Sequence, residues 1–423
     1  MKMKILKAYK FRIYPNKTQK QYFEKCFGVS RFVFNSVLDY RIKSYKNGLK
    51  YSSYDAIKDF TQIKKLEGYE FLNEINAQSL QQSILDLDLD SAFQKFFKEK
   101  NVGFPKFKKK GMKDSFRNPN NNNNLKINFH TRKIKIPKLK ELKFRDKRFF
   151  EGKIKNITIS KNKCNQYFAS ILVEEEFEQN YKNEIEESKV FSADMSCKDF
   201  LVSSEMEFEN QKFYRRNERR LKIRQRRLSI KTKGSENRKK ERLKIAKFHQ
   251  DIVNKRRGHQ WNLAYKLSTQ FDALIFEDLN IEGMKKFNKG ISKTVTLDFS
   301  FSEFLTNLEW KCFKENKHFV KVSRWFPSSK LCSSCGQIKK DLKLSDRQYI
   351  CECGLNIDRD INASTNIKKE GINILKEKGI NLLKNSTDVN TSESYALRDM
   401  SEDLNNSAQE DDKSRLALVH WYR

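Results

Sequence analysis

The chain has 423 residues, with 87 Lys and Arg against 54 Asp and Glu, so its net charge is +33 at neutral pH. At 37% hydrophobic residues, with 33 Phe, it carries enough apolar mass to exclude disorder over most of its length. It has no run of about 18 apolar residues that could span a membrane, and Met1-Lys2-Met3-Lys4 opens no apolar leader. Charge of this size points to a large polyanion as partner rather than to a membrane surface. Eight Cys in the cytosolic or nuclear compartment this implies are thiols or metal ligands, not disulfides. Only 14 Gly and 5 Pro interrupt the chain, so long helices and strands are expected.

Residues 4–14 alternate, with Tyr9, Phe11 and Ile13 on one side and Lys10 and Arg12 on the other, which predicts a half-buried strand. Pro15-Asn16 ends it. A helix follows from about Thr18 to Tyr45, and a second over about Asn76 to Lys98, which carries Leu80, Ile84, Leu89 and Phe93. Short strands are predicted over Leu125–His130, Lys133–Ile136, Ile154–Ser160 and Gln166–Val173, the last two joined by a hairpin at Lys161–Asn165. This half reads as a β-module with a helical insertion, closed by an acidic linker.

From Lys189 the pattern becomes α/β. Val190–Ala193, Phe200–Ser203, Ala273–Phe276 and Phe319–Val322 are short apolar strands, and a basic helical hairpin over 212–266 turns near Lys233-Gly234-Ser235. Residues 385–423 are acidic, without helical periodicity, and read as a disordered tail.

Cys332-x-x-Cys335 and Cys351-x-Cys353 are each followed by Gly, which permits a tight knuckle. Four thiolates in two pairs suit one tetrahedral Zn²⁺ in a closed, structural site, although the second pair is one residue shorter than the usual spacing. Cys26, Cys164, Cys197 and Cys312 are scattered and read as small core residues.

Three acids stand at the ends of α/β elements: Asp194 after Val190–Ala193, Glu277 after Ala273–Phe276, and Asp360 where a helix opens behind the cysteines. Taken singly, such an acid is a helix cap or turn former. Together, poorly solvated and mutually repelling, they suit hard cations, Mg²⁺ or Mn²⁺. A pair of such ions is what phosphodiester hydrolysis uses. No Ser/His/Asp or Cys/His arrangement stands out among 5 His.

At these residues the chain resembles the TnpB family, RNA-guided endonucleases of insertion sequences related to type V CRISPR effectors. The matching stretches are Tyr9–Pro15, Phe27–Asn35, Gly103–Lys108, Phe276–Asn280, Trp325–Lys330 and Cys332–Asn366. The resemblance implies an α/β plus β architecture, in which a RuvC-like nuclease domain with an RNase H fold, over 189–330 and 355–384, is interrupted by the zinc module at 331–354. It implies an N-terminal wedge β-barrel over 1–15 and 101–180, a helical recognition insertion over 16–100 and a linker over 181–188. Asp194, Glu277 and Asp360 fall on the family's catalytic positions and would bind two Mg²⁺ (or Mn²⁺) ions; Cys332, Cys335, Cys351 and Cys353 would bind one Zn²⁺. Where the family has Leu-Gly after the first acid, this chain has Met195-Ser196. The implied partners are a guide RNA and double-stranded target DNA, in the cytoplasm at the bacterial nucleoid, with no obligate protein partner and no membrane.

For nucleic-acid contact the candidates are Arg215, Arg216, Arg219, Arg220, Lys222, Arg224, Arg226 and Arg227, spread around one helix with only Glu218 to pair with them. Lys330 joins them. Gln78, Gln81 and Gln82 are candidates for reading the motif beside the target, since Gln can pair bidentately with adenine. Phe116 and Tyr9 could stack on bases, though core packing is the plainer role. The rival functions are a nuclease-silent, RNA-guided DNA-binding repressor and a strand-joining transposase. The first would be expected to lose one or more of the three acids, and the second could use them on the same fold.

Overall fold

The computed structural model describes residues 2–85, 95–99, 102–121, 123–196, 198–286, 294–343 and 345–384. Expectations for Leu89, Phe93, Cys197 and the acidic 385–423 segment lie outside the described residues. Among the described residues no helix is long and apolar enough to cross a membrane. The described residues divide into two compact units, Lys2–Glu178 and 179–384.

The first unit opens on β1 (Lys2–Ile13), whose alternation buries Tyr9, Phe11 and Ile13. Asn16 then caps α1 (Lys17–Lys46), exchanging hydrogen bonds with Gln19 in a capping box. Two shorter helices follow, α2 (Ser53–Ile63) and α3 (Ala77–Leu85). After them come β2 (Asp114–Pro119), β3 (Lys126–Asn128), β4 (Lys133–Ile136), β5 (Leu139–Lys143), β6 (Lys153–Lys161) and β7 (Tyr167–Glu178). The strands form an antiparallel sheet in the order β1-β7-β6-β2 and a second sheet in the order β3-β4-β5. A bridge between Ile13 and Phe144 links them. Phe11, Phe129, Phe144 and Phe150 pack ring against ring between the sheets. Phe23 and Phe27 of α1 pack on Phe116 of β2, so helices and strands share one core. Each such ring removed from water contributes about 1.5–3 kcal/mol. Phe116 and Tyr9 are both buried, which settles them as core residues rather than base-stacking platforms.

In the second unit, β8 (Glu184–Glu186) precedes β9 (Val190–Ala193), β10 (Leu201–Val202) and β11 (Glu207–Phe208). The basic hairpin is α4 (Arg215–Ser229) and α5 (Glu236–Gln270). Then come β12 (Ala273–Glu277), α6 (Ile281–Lys286), a π-turn over Thr294–Phe299, α7 (Phe301–Lys314) and β13 (His318–Val322). The small hairpin β14 (Gln348–Ile350) and β15 (Asn356–Asp358) leads into α8 (Arg359–Glu377). Last, β16 (Asn381–Leu383) pairs with β8.

β9 and β13 flank β12, all parallel. The backbones of Asp194 and Val202 exchange hydrogen bonds, carrying the order on through β10 to β11. β9 and β12 are apolar on both sides because helices cover both faces. Phe191, Ala193, Leu274 and Phe276 pack with Leu263, Ala264 and Leu267 of α5 and with Phe304 and Leu308 of α7. Val190, Ala273 and Ile275 point the other way, toward Ile367 and Leu375 of α8.

A candidate carboxylate centre beside a four-cysteine knuckle

Strand alternation decides which face each acid occupies. In β9 the α8 side holds Val190 and Ser192, and the next residue of that parity is Asp194. In β12 it holds Ala273 and Ile275, and the next is Glu277. The strands run parallel with Phe276 opposite Ala193, so Glu277 and Asp194 come next to each other, one step along. Ser192 confirms the face by donating its hydroxyl to the Ser364 carbonyl of α8 at 2.9 Å. Asp360 stands in the first turn of that helix.

The electrostatics follow this placement. Burial pushes the Asp194 carboxyl up to about 6, with the charge of Asp360 adding to it; the Met195 N–H donated to its Oδ1 at 2.7 Å and the Arg359 charge pull the other way. Burial likewise raises Glu277 to about 7, helped by the charge of Asp194, while the Ser328 hydroxyl, donated at 3.4 Å, opposes this. Asp194 therefore lies within electrostatic range of both other acids. Asp360 also has cationic neighbours, Arg359 at 3.4 Å and Arg347 at 3.7 Å. For Asp194 and Glu277, desolvation and like charge outweigh the hydrogen bonds and the Arg359 charge that oppose them.

Asp358, the other acid of the Asp-Arg-Asp stretch, has a different task. Its side chain caps α8, accepting from the N–H groups of Asp360 and Ile361 at 2.8 and 3.3 Å. This sets the first turn of the helix on which Asp360 stands.

The four cysteine sulfurs all lie within 4.8 Å of one another, and among the described residues they are the one group of potential metal ligands so tightly gathered. Cys332 and Cys353 are 3.6 Å apart and Cys335 and Cys351 3.7 Å. A tetrahedron of sulfurs at about 2.3 Å from a metal has edges of about 3.8 Å, so the site can hold one ion. The short Cys351-x-Cys353 pair fits because it sits in the tip of the β14–β15 hairpin. There the Cys351 N–H donates to the Leu355 carbonyl, and Gly354 adopts φ +93°, which suits a residue without Cβ. Cys26, Cys164 and Cys312 are buried core residues, apart from this group.

On α4, Arg215, Arg216, Arg219, Arg220, Lys222, Arg226 and Arg227 are exposed, and Leu221 is the buried contact of that helix. Arg215 also bonds Asp298 and Thr294, and Arg224 is half-buried against Glu241 and the Phe248 ring. Lys330 is exposed and donates to the Lys340 carbonyl. Gln78, Gln81 and Gln82 lie on α3, with Gln81 exposed and the other two half-buried.

Sequence reasoning missed Ser328 as a partner of Glu277, and it missed Asn362 and Asn366. Both asparagines are buried on α8 and bond the loop that leads to Cys332. Their available signal was two carboxamides one helical turn apart, on the face shared with Ala363 and Ile367.

Three family models match this chain: "Cas12f1-like, TNB domain" over residues 301–367, a "Helix-turn-helix domain" of the OrfB IS605 type over 1–50, and "Probable transposase", also OrfB IS605, over 170–288. Within 2–50 this chain forms a strand and one continuous helix. A Streptomyces pristinaespiralis protein named "Putative RNA-guided DNA endonuclease" is 30% identical over 88% of this chain and 91% of its own length. An Escherichia coli K12 protein, "Putative RNA-guided DNA endonuclease InsQ", is 28% identical over 88% of this chain and 94% of its own. The protein in the cryo-EM structure of the Cas12f1-sgRNA-target DNA complex shares the fold, with a TM-score of 0.54 at 13% identity, covering 86% of this chain and 99% of that one. Similarity of this extent, along nearly the whole of both relatives, means that the chain belongs to the TnpB family of insertion-sequence proteins.

Proposed function

We propose that this protein is an RNA-guided DNA endonuclease that cuts target DNA beside a short motif through one RuvC-like site. What supports the reading is the register that sets Glu277 beside Asp194 at the ends of two parallel strands, with Asp360 near enough on α8 for its charge to raise Asp194. Asp194, Glu277 and Asp360 would hold two Mg²⁺ ions, whose charge would offset the mutual repulsion of the carboxylates. When bound, the metal pair supplies the acid strength to activate water and to offset charge on the leaving oxygen. The protein's own part is to fix the carboxylates: Asp194 by the Met195 amide, Glu277 by Ser328, and Asp360 by the Asp358 cap. The four cysteines would hold one Zn²⁺ in a closed site with no open position for substrate.

The exposed arginines of α4 suit phosphate backbones, and the charge of +33 supports two nucleic acids bound at once. A guide RNA pairing with the target leaves the protein to read shape and backbone. We assign the two-sheet unit to the wedge role and α1 to α3 to the recognition insertion, with Gln78, Gln81 and Gln82 as readers of the adjacent motif.

The test is purified protein with its co-purified RNA, a plasmid matching that RNA, and Mg²⁺. Linear plasmid is expected from the parent protein, and none from Asp194→Ala, which should retain its RNA. Cleavage that survives in Asp194→Ala defeats the assignment. A plasmid bound but uncut by the parent protein means a repressor instead.

A further inference from the structure

The cysteine knuckle and the carboxylate centre are joined by two side chains. Asn362 and Asn366 are 0% and 1% exposed, in the middle of polar sequence where exposed asparagines would be expected. Neither amide is spent on its own helix. Asn362 donates to the Leu331 carbonyl at 2.7 Å and accepts the Ser333 N–H at 3.0 Å, so it grips the backbone on both sides of Cys332. Asn366 donates to the Leu331 and Ser328 carbonyls at 2.7 and 2.8 Å. Lys369, one turn further on, donates to the Ser333 carbonyl.

Together these bonds fasten the segment 328–333 along α8. One end of the segment is Ser328, which bonds Glu277. Next to the other is Cys332, a ligand of the proposed zinc site. Asp360 lies two residues before Asn362 on the same helix. The chain also enters α8 directly from β15, the second strand of the cysteine hairpin, through the Asp358 cap. The knuckle thus reaches Asp360 by two routes, one covalent and one through buried amides. A buried amide that loses its partners costs about 1–3 kcal/mol, so the knuckle cannot drift from α8 without moving the helix or breaking those bonds.

We infer that Asn362 and Asn366 are positioning residues that transmit the state of the four-cysteine site to Asp360, so that zinc occupancy sets how tightly the carboxylates hold their own cation. The inference rests on the nuclease reading above, in that Asp360 must be a cation ligand. The amides bond the backbone beside Cys332 rather than a ligand side chain, and outer-sphere supports of metal centres give the scale of such effects, about 10–100-fold in affinity or activity.

The experiment titrates Mn²⁺ into the full-length, zinc-loaded protein by calorimetry, comparing the parent with Asn362→Ala and with Asn362→Leu, which leaves a smaller void. Zinc content and RNA binding are measured on the same samples. Both variants are expected to keep one zinc and their RNA, while the Mn²⁺ dissociation constant rises roughly tenfold or more. Unchanged Mn²⁺ affinity in a zinc-retaining variant overturns the inference and leaves the nuclease reading intact. If the parent takes up no Mn²⁺, or Asp194→Ala takes it up equally well, the carboxylate reading itself fails. Should neither variant fold, hydrogen exchange on the parent decides: stripping zinc should speed exchange across residues 359–366 and leave β9 and β12 protected. Unchanged exchange over 359–366 overturns the inference.

Discussion

Gly371 of α8 lies so close to Ile275 of β12 that a methyl group on its Cα would stand 2.4 Å from the isoleucine Cγ2. No Cβ tolerates that distance, and Ile275 is a β-branched residue fixed in a buried strand. The helix bearing Asp360 can therefore approach the strand bearing Glu277 only because position 371 has no side chain.

Gly371→Ala is expected to destabilise the protein by about 1–3 kcal/mol through overpacking. Cleavage should fall further than the loss of folded protein explains, because α8 must move off the sheet. Thermal melting and single-turnover cleavage check this. An unaltered melting temperature would contradict the close approach.

The acids predict a pH dependence with a definite sign. Burial raises Asp194 and Glu277 in the folded protein, to about 6 and about 7, so the folded state binds these protons more tightly than the unfolded one. Their contribution to stability is present at low pH and lost as pH rises from near 4 through 7. In metal-free protein, Asp194→Asn should thus stabilise by about 1–3 kcal/mol at pH 8, with the gain fading toward pH 4. Added Mg²⁺ should stabilise the parent and not the variant. Urea unfolding across pH, with and without Mg²⁺, is the measurement.

Removing a metal ion held by the knuckle should be felt locally. Cys335→Ser, or a strong chelator, is expected to release the ion and open residues 331–354 to protease, since binding energy at such a site is folding energy. The Lys2–Glu178 unit has its own aromatic core and should stay resistant. Fragment masses after limited proteolysis distinguish the two regions, and equal susceptibility would count against independent cores.

The arginines of α4 should differ among themselves. Each of Arg219, Arg220, Arg226 and Arg227 that touches RNA phosphate should, on replacement by Ala, lower the slope of log affinity against log salt by about 0.7. Arg215 bonds Asp298 and Thr294, so its replacement should also lower stability. Filter binding over a salt series, beside thermal melts, separates these outcomes.

What could be read from the sequence followed from signals that are local. Val190–Ala193 and Lys133–Ile136 are strands over the predicted residues, because apolar runs and alternation report burial directly. The cysteine pairs and the strand-end acids were legible for the same reason, since residue type and spacing already contain the chemistry. α2 was not foreseen, although Ser52 and Asp55 form a capping box that announces it. β2 was hidden by Asn118 and Pro119, residues that discourage a strand and are accepted here because β2 is a sheet edge. The face that Asp194 and Glu277 share needs the register of two strands about 80 residues apart, which no local pattern contains. Asn362 looked like surface polarity, because its partners are backbone groups of a loop some thirty residues earlier.

The ladder between β1 and β7 runs from Lys2 opposite Glu178 to Ile13 opposite Tyr167. On a ribosome adding about 5–20 residues per second, β1 waits roughly 9–35 s for its partner to be made. Throughout that interval Tyr9, Phe11 and Ile13 are an unpaired apolar edge, open to other nascent chains. The lysines and arginine interleaved with them, Lys2, Lys4, Lys7, Lys10 and Arg12, keep like chains apart during translation, before any nucleic acid is bound.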